Sequence, residues 1–268
     1  MKTTASFVVA LAVMSSATGA LAQDIRQPRT PLTSPQGDVT ETLKQVDALY
    51  DARDTEGSAD QSLTLLREAA KKNPDNGDVQ WRIARSTFWL AEDPANKNRQ
   101  RELTVEGRKA GERAVKLSPD KAESHYYLAI NLGEYGHAVG IVRALGEGVE
   151  GRFKTALDKA RELNPRVDDG GIFSTYGRYW YELPWPRKNL NNSIKELRNG
   201  LKEVPPHLRM RVYLAETLLE RKETGDVEEA QGLIKEVVAA KPGAYDRADE
   251  KRAQQMARRV AEKHNIKL

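Results

Sequence analysis

Apolar residues recur along this chain at three- and four-residue spacing, and no segment alternates apolar and polar in the manner of a strand. In "FSTYGRYW", Phe173, Tyr176, Gly177 and Trp180 fall at i, i+3, i+4 and i+7, one face of a helix. The same face recurs as Trp81, Ala84 and Phe88, and as Tyr126, Ala129 and Gly133. It recurs again as Leu214, Ala215 and Leu218, and more loosely as Leu43, Val46 and Tyr50. Each of these segments precedes a second kind of helix, in which a small or aliphatic residue stands five positions before a proline. "EAAKKNP", "RAVKLSP", "KARELNP", "NGLKEVP" and "EVVAAKP" place Ala69, Ala114, Ala160, Gly200 and Val237 before Pro74, Pro119, Pro165, Pro205 and Pro242. Eight residues before those prolines stand Leu66, Gly111, Leu157, Leu197 and Ile234. Twelve before stand Ser62, Gly107, Phe153, Ser193 and Ala230. Small residues permit close helix approach, the aliphatic fills the gap, and proline ends the helix. The pattern predicts five antiparallel helix pairs, their prolines 45, 46, 40 and 37 residues apart.

This arrangement resembles the tetratricopeptide repeat (TPR) family, whose repeat carries an aromatic and a small residue on its first helix and Ala, Ala and Pro on its second. The repeats here are longer than that family's 34 residues, and the excess lies between the two helices of each pair. A glycine-rich third insert running from "GEYGHAVGIVRALGEG" and the "ELPWP" stretch of the next unit are similar to the regulator of microtubule dynamics family. So is the charged terminal "YDRADEKRAQQMARRVAEKH". The TatT proteins, partners of transporter solute-binding subunits, share this style of degenerate repeat. The resemblance implies an all-α fold, a right-handed α-solenoid of about five hairpins. It spans residues 39–242 and is closed by a C-terminal capping helix and tail over 243–268. That helix carries an apolar seam of Ala253, Met256, Ala257 and Val260, as the polar-faced end of a solenoid requires.

Composition narrows the setting. Residues 1–22 read as a cleaved signal peptide: Lys2, an uncharged run from Ala5 to Gly19, then Ala20-Leu21-Ala22. Residues 23–38, with Pro28, Pro31 and Pro35, read as a flexible linker, and Asp38 as the cap of the first helix. The absence of cysteine excludes disulfides, thiolate chemistry and a lipid-modified N-terminal Cys, and fits a bacterial periplasm. The net charge of +4 is spread over 43 basic and 39 acidic residues at helical spacing, so no nucleic-acid surface is expected. No segment after the signal peptide is apolar enough to cross a membrane.

Motifs that carry catalysis are missing: there is no GxSxG, no P-loop and no dinucleotide fingerprint, and no cofactor is expected. Glu134-x-x-His137 has the spacing of a carboxylate-bridged metal site but lacks the second copy such sites need. The apolar Val139–Leu145 stretch among the glycines predicts a short extra helical turn. By resemblance to TPR folds, the concave groove would be lined by Arg82, Ser86, Trp89, Tyr127, Asn131, Tyr135, Ser174, Arg178 and Tyr181. Its ends would present Glu41, Lys44, Glu216 and Glu220. Arginines among aromatics suit a carboxylate, so the expected partner is a protein or peptide with an acidic group. A small anionic ligand carrier in the TatT manner is the alternative. An open groove would favour the first, and a closed pocket lined by Trp89, Tyr135 and Tyr181 the second. In "YELPWPR", Pro184 is expected to stop one helix and Pro186 to start the next, with Trp185 tucked over the hairpin end as a plug.

Overall fold

The computed structural model describes residues 39–92 and 97–268, which belong to one compact unit; the expected signal peptide, linker and Asp38 cap lie outside the described residues. Among the described residues, five helix pairs follow one another. They are α1 (Val39–Asp51) with α2 (Ser58–Lys72), α3 (Gly77–Ala91) with α4 (Lys97–Leu117), and α5 (Ala122–Val139) with α7 (Val149–Leu163). Next come α8 (Val167–Glu182) with α9 (Leu190–Glu203), and α10 (Leu208–Arg221) with α11 (Asp226–Ala239). The short helix α6 (Ile141–Gly146) forms in the glycine-rich insert, and α12 (Arg247–Lys263) caps α10 and α11. This is an all-α, TPR-like solenoid.

The repeat chemistry appears atom by atom. Asn73, Ser118, Asn164 and Val204, each directly before its proline, donate a backbone N–H to the carbonyl of the small residue four back, at 2.8–2.9 Å. Proline cannot supply the next donor, and its ring disfavours a helical residue before it, so the helix ends there. Leu66, Leu157, Leu197 and Ile234 are all fully buried, as the eight-before position requires. In the second unit the same position is Gly111. A Cβ there would stand 2.8 Å from the Leu128 backbone Cα, so α4 and α5 touch at their main chains. Gly111→Ala is expected to cost about 1–3 kcal/mol, because backbone cannot yield as a side chain would. Chemical denaturation at equilibrium reads the loss, and an unchanged midpoint would refute this packing.

The "YELPWPR" stretch departs from its expectation in two ways. Trp185 is 88% exposed and plugs nothing; Leu183, 5% exposed, fills the hairpin end instead. Nor does Pro186 begin a helix: α9 starts at Leu190, capped by the Asn189 side chain, which accepts from the Asn192 N–H at 2.9 Å. The intervening turn is fixed by its flanks. Asn189 N–H reaches the Trp180 carbonyl at 3.0 Å, and Arg187 donates to Glu150. Trp185→Ala is therefore expected to shift stability by no more than about 0.5 kcal/mol.

The solenoid does not end freely. Arg53, after α1, donates to Asp246, the residue that also caps α12 by accepting from the Asp249 N–H. Arg247 and Lys251 of α12 hold Asp54 at 3.0 and 2.6 Å. Tyr50, Ala59, Trp89 and Ala248 form a small apolar cluster joining the first three helices to the last. The capping helix thus closes back onto the first hairpin and the end of α3, deepening the concave groove into a chamber that stays partly open to solvent.

Candidate functional site

The chamber is a cavity of about 510 Å³ walled by α3, α5, α8, α10 and α12, with α6 on one side. The size is that of a ligand or side-chain pocket rather than a packing defect. Its wall on α5 runs along one stripe, Tyr126, Ile130, Glu134 and His137, with Leu132, Gly133 and Gly136 beside it. On α8 it comes from Gly171, Ser174, Thr175, Arg178 and Glu182. An apolar side is built by Ile141, Ala144, Leu145, Phe153 and Leu183.

An ion-pair network lines the side nearest α12. Arg209 reaches Glu92 at 2.5 Å and Asp249 at 2.5 Å, and Arg252 reaches Glu92 at 2.5 Å. Burial alone would raise the Glu92 carboxyl, but the charges of Arg209 and Arg252 override it and hold the pKa below its ordinary value. Arg252 lies 3.2 Å over the Trp89 ring and Arg53 lies 4.4 Å from it, so two guanidiniums pack on one indole. His207, which caps α10 by accepting from Met210 N–H, is pushed down to about 4 by burial and stays neutral at pH 7. The first residues of α8 are strained: Asp168, Asp169 and Gly170 have φ of 52°, 50° and 80°. Left-handed aspartates are uncommon and persist where their surroundings hold them. Here Tyr127 donates to Asp168 at 3.0 Å.

Of the residues expected to line the groove, the structure brings Trp89, Ser174 and Arg178 to the cavity and places the others elsewhere. Arg82 lines a separate cavity with Leu43, Asp78 and Trp81, and grips Asp47 bidentately at 2.9 and 2.8 Å. Asn131 is 0% exposed and works as a strut, its amide donating to the Ala84 and Tyr127 carbonyls at 2.8 Å. Ser86 is likewise wholly buried. Tyr127 stacks on Trp81, and Tyr135 bonds to Glu147 beside α6. Tyr181 lies under Arg178 and Lys188 outside the cavity. One residue of slip turns a helix by about 100°. The cavity face of α5 is therefore one position away from the expected one, while α8 keeps the expected register. The signal is present in the sequence: Tyr126, Ile130 and Glu134 are four apart, and His137 follows three later. Arg178 is not free for a carboxylate either, since it already bridges Glu182 and Glu216. Among the described residues no group of His, Asp and Glu is placed to hold a metal ion, and no helix is long and apolar enough to cross a membrane.

Comparison with known proteins agrees with this architecture. Regulator of microtubule dynamics protein 3 of Rattus norvegicus is 28% identical over 162 residues, 59% of this chain and 33% of that protein. Regulator of microtubule dynamics protein 2 of Homo sapiens is 28% identical over 151 residues, 55% of this chain and 35% of that one. The chain thus spans about a third of the length of these relatives. The crystal structure of a thermophilic TPR protein of Thermus thermophilus superposes with a TM-score of 0.59. That match has 20% identity and covers 81% of this chain and 97% of that one, a likeness of fold alone. Residues 42–191 match the family described as regulator of microtubule dynamics protein 1-3. With more than half its length so matched, the chain belongs to the regulator of microtubule dynamics family and carries a TPR-like helical repeat.

Proposed function

We propose that this chain is an exported, non-enzymatic scaffold that receives a protein or peptide partner in the partly open chamber bounded by α3, α5, α8, α10 and α12. The observation that most supports this is the chamber itself: the concave wall keeps about 510 Å³ open where a merely structural closure would fill it. TPR-like solenoids present concave surfaces to partners, and the fold favours that use here. Export to a periplasm rests on Lys2, the Ala5–Gly19 run and Ala20-Leu21-Ala22, together with the absence of cysteine. The relatives' names speak of microtubule dynamics; what is carried over is interaction, not the microtubule. The charge of the partner follows from which cavity groups lack a partner of their own.

The test is capture from periplasmic extract on immobilised full chain, against Thr175→Arg, which fills the chamber from α8. Wild type is expected to enrich a partner that Thr175→Arg loses and Trp185→Ala keeps. Equal capture by the filled variant would put binding outside the chamber. No enriched protein, with a small organic acid co-purifying in native mass spectrometry, would replace the scaffold by a ligand carrier.

A further inference from the structure

The cavity's charges are unevenly satisfied. Arg53, Arg178, Arg209 and Arg252 each already hold a carboxylate of the chain, and Arg259, which completes the arginines of the lining, is exposed to solvent. On the acidic side Glu134 stands apart. It lies on the cavity stripe of α5 and, among the described residues, accepts no hydrogen bond and forms no ion pair. Asp169, exposed to solvent at the strained head of α8, is likewise unpaired and lines the same cavity. Glu134 is half-buried, and a carboxylate partly withdrawn from water with no partner is costly, so a cation that enters would remove that cost. The aromatic and aliphatic wall beside Glu134, with Ile141, Leu145 and Phe153, suits an uncharged stem.

We infer that the chamber receives a protonated amine or guanidinium carried on an apolar stem, with the Glu134 carboxylate as its seat. This rests on reading the chamber as the partner's site, and it reverses the acidic partner expected from Arg82 and Arg178. Two sources share the chemistry: a lysine or arginine side chain of a partner, and a free alkylamine. The surroundings give the site a pH dependence. Sharing the cavity wall with Glu134 are Glu92 just after α3, Glu150 from α7, Arg178 and Glu182 from α8, and Arg209 and Tyr213 from α10. Arg252 and Asp249 come from α12, and His137 is on its own helix. Burial, then the charges of Glu92 and Glu182, push the Glu134 carboxyl up to about 7. A bound cation would favour its ionised form, so affinity rises and a proton is released as the two meet near neutrality.

The experiment titrates the full chain with hexylammonium, hexanol and hexanoate, followed by calorimetry and tryptophan fluorescence, in wild type and Glu134→Gln. Hexylammonium is expected to bind at least tenfold tighter than hexanoate at pH 8. Glu134→Gln should weaken it at least tenfold while leaving hexanol unchanged, and wild-type binding should weaken at pH 6. Hexanoate binding as tightly as hexylammonium, or an affinity for hexylammonium within twofold in the variant, would overturn the inference. A capped Leu-Leu-Lys-Leu-Leu peptide against its Lys→Gln counterpart separates the sources. Glu134-dependent binding of the lysine peptide assigns the seat to a partner's side chain; binding of hexylammonium alone assigns it to a free amine. Partner capture that survives Glu134→Gln sinks this inference and spares the scaffold. Hexylammonium binding without any captured partner does the opposite.

Discussion

Arg209→Ala is expected to lose about 3–5 kcal/mol of stability, because it takes the ion-pair partner from the half-buried Asp249 and one of two guanidiniums from Glu92. For a chain of this size that lowers the melting temperature by roughly 10 °C. The reason is geometric. Arg209 stands at the start of α10 yet grips the residue after α3, 117 positions earlier, and shares Glu92 with Arg252 of α12. Removing it breaks both pairs at once and leaves Arg252 to serve Glu92 alone. Calorimetric melting checks the result. The control is the double variant Arg209→Met with Asp249→Asn, expected to recover part of the loss because the Asp249 charge left without its ion pair goes too. A single variant as stable as wild type would mean that water already satisfies these carboxylates.

Glu134→Gln should do the opposite and stabilise the protein, increasingly as pH rises above 4.5 and fully above pH 7. The Glu134 carboxyl has a folded-state pKa of about 7 against an ordinary 4.5, so the folded chain holds its proton more tightly than the unfolded one. Stability from this group is complete below pH 4.5 and is lost progressively as pH rises from there through 7. The shift corresponds to at most about 3 kcal/mol, and roughly 2 kcal/mol once water in the cavity is allowed for. Denaturant midpoints for the two proteins should therefore lie closest at pH 4 and stand furthest apart at pH 8, the variant being the more stable. Equal gaps at both pH values would show that ionisation has no part in it. A position where the native residue is the less stable choice is what a binding group at a stability cost looks like.

Much of this architecture could be read from the chain because its signals are local. The small residue, the aliphatic and the proline on each second helix act within one turn or two of each other. Ala160, Asn164 and Pro165 suffice to end α7 without knowledge of anything else. The chamber is different, because its members come from α3, α8, α10 and α12 and meet only after the solenoid has closed. No periodicity links Glu92 to Arg209, or Arg53 to Asp246. Asn131 and Arg82 show how composition misleads: a polar residue on an aromatic face reads as a ligand group, whereas here one is a strut between helices and the other belongs to Asp47. Trp185 misleads in the opposite sense. Two flanking prolines suggest burial by constraint, but constraint can equally hold a ring out in water.

The bond between Arg53 and Asp246, with Ala248 seated against Trp89 and Tyr50, has a consequence for how the chain comes apart. An open array of hairpins behaves as a one-dimensional series: each unit leans only on its neighbours, ends fray first, and units can be added or deleted with additive effect. Tying the last helix to the first abolishes that independence. Repeat number becomes fixed, since one hairpin more or less would carry Asp246 away from Arg53. Melting from the tail must also open the closure before any single unit can leave, so the five hairpins gain the all-or-none transition of a globular domain.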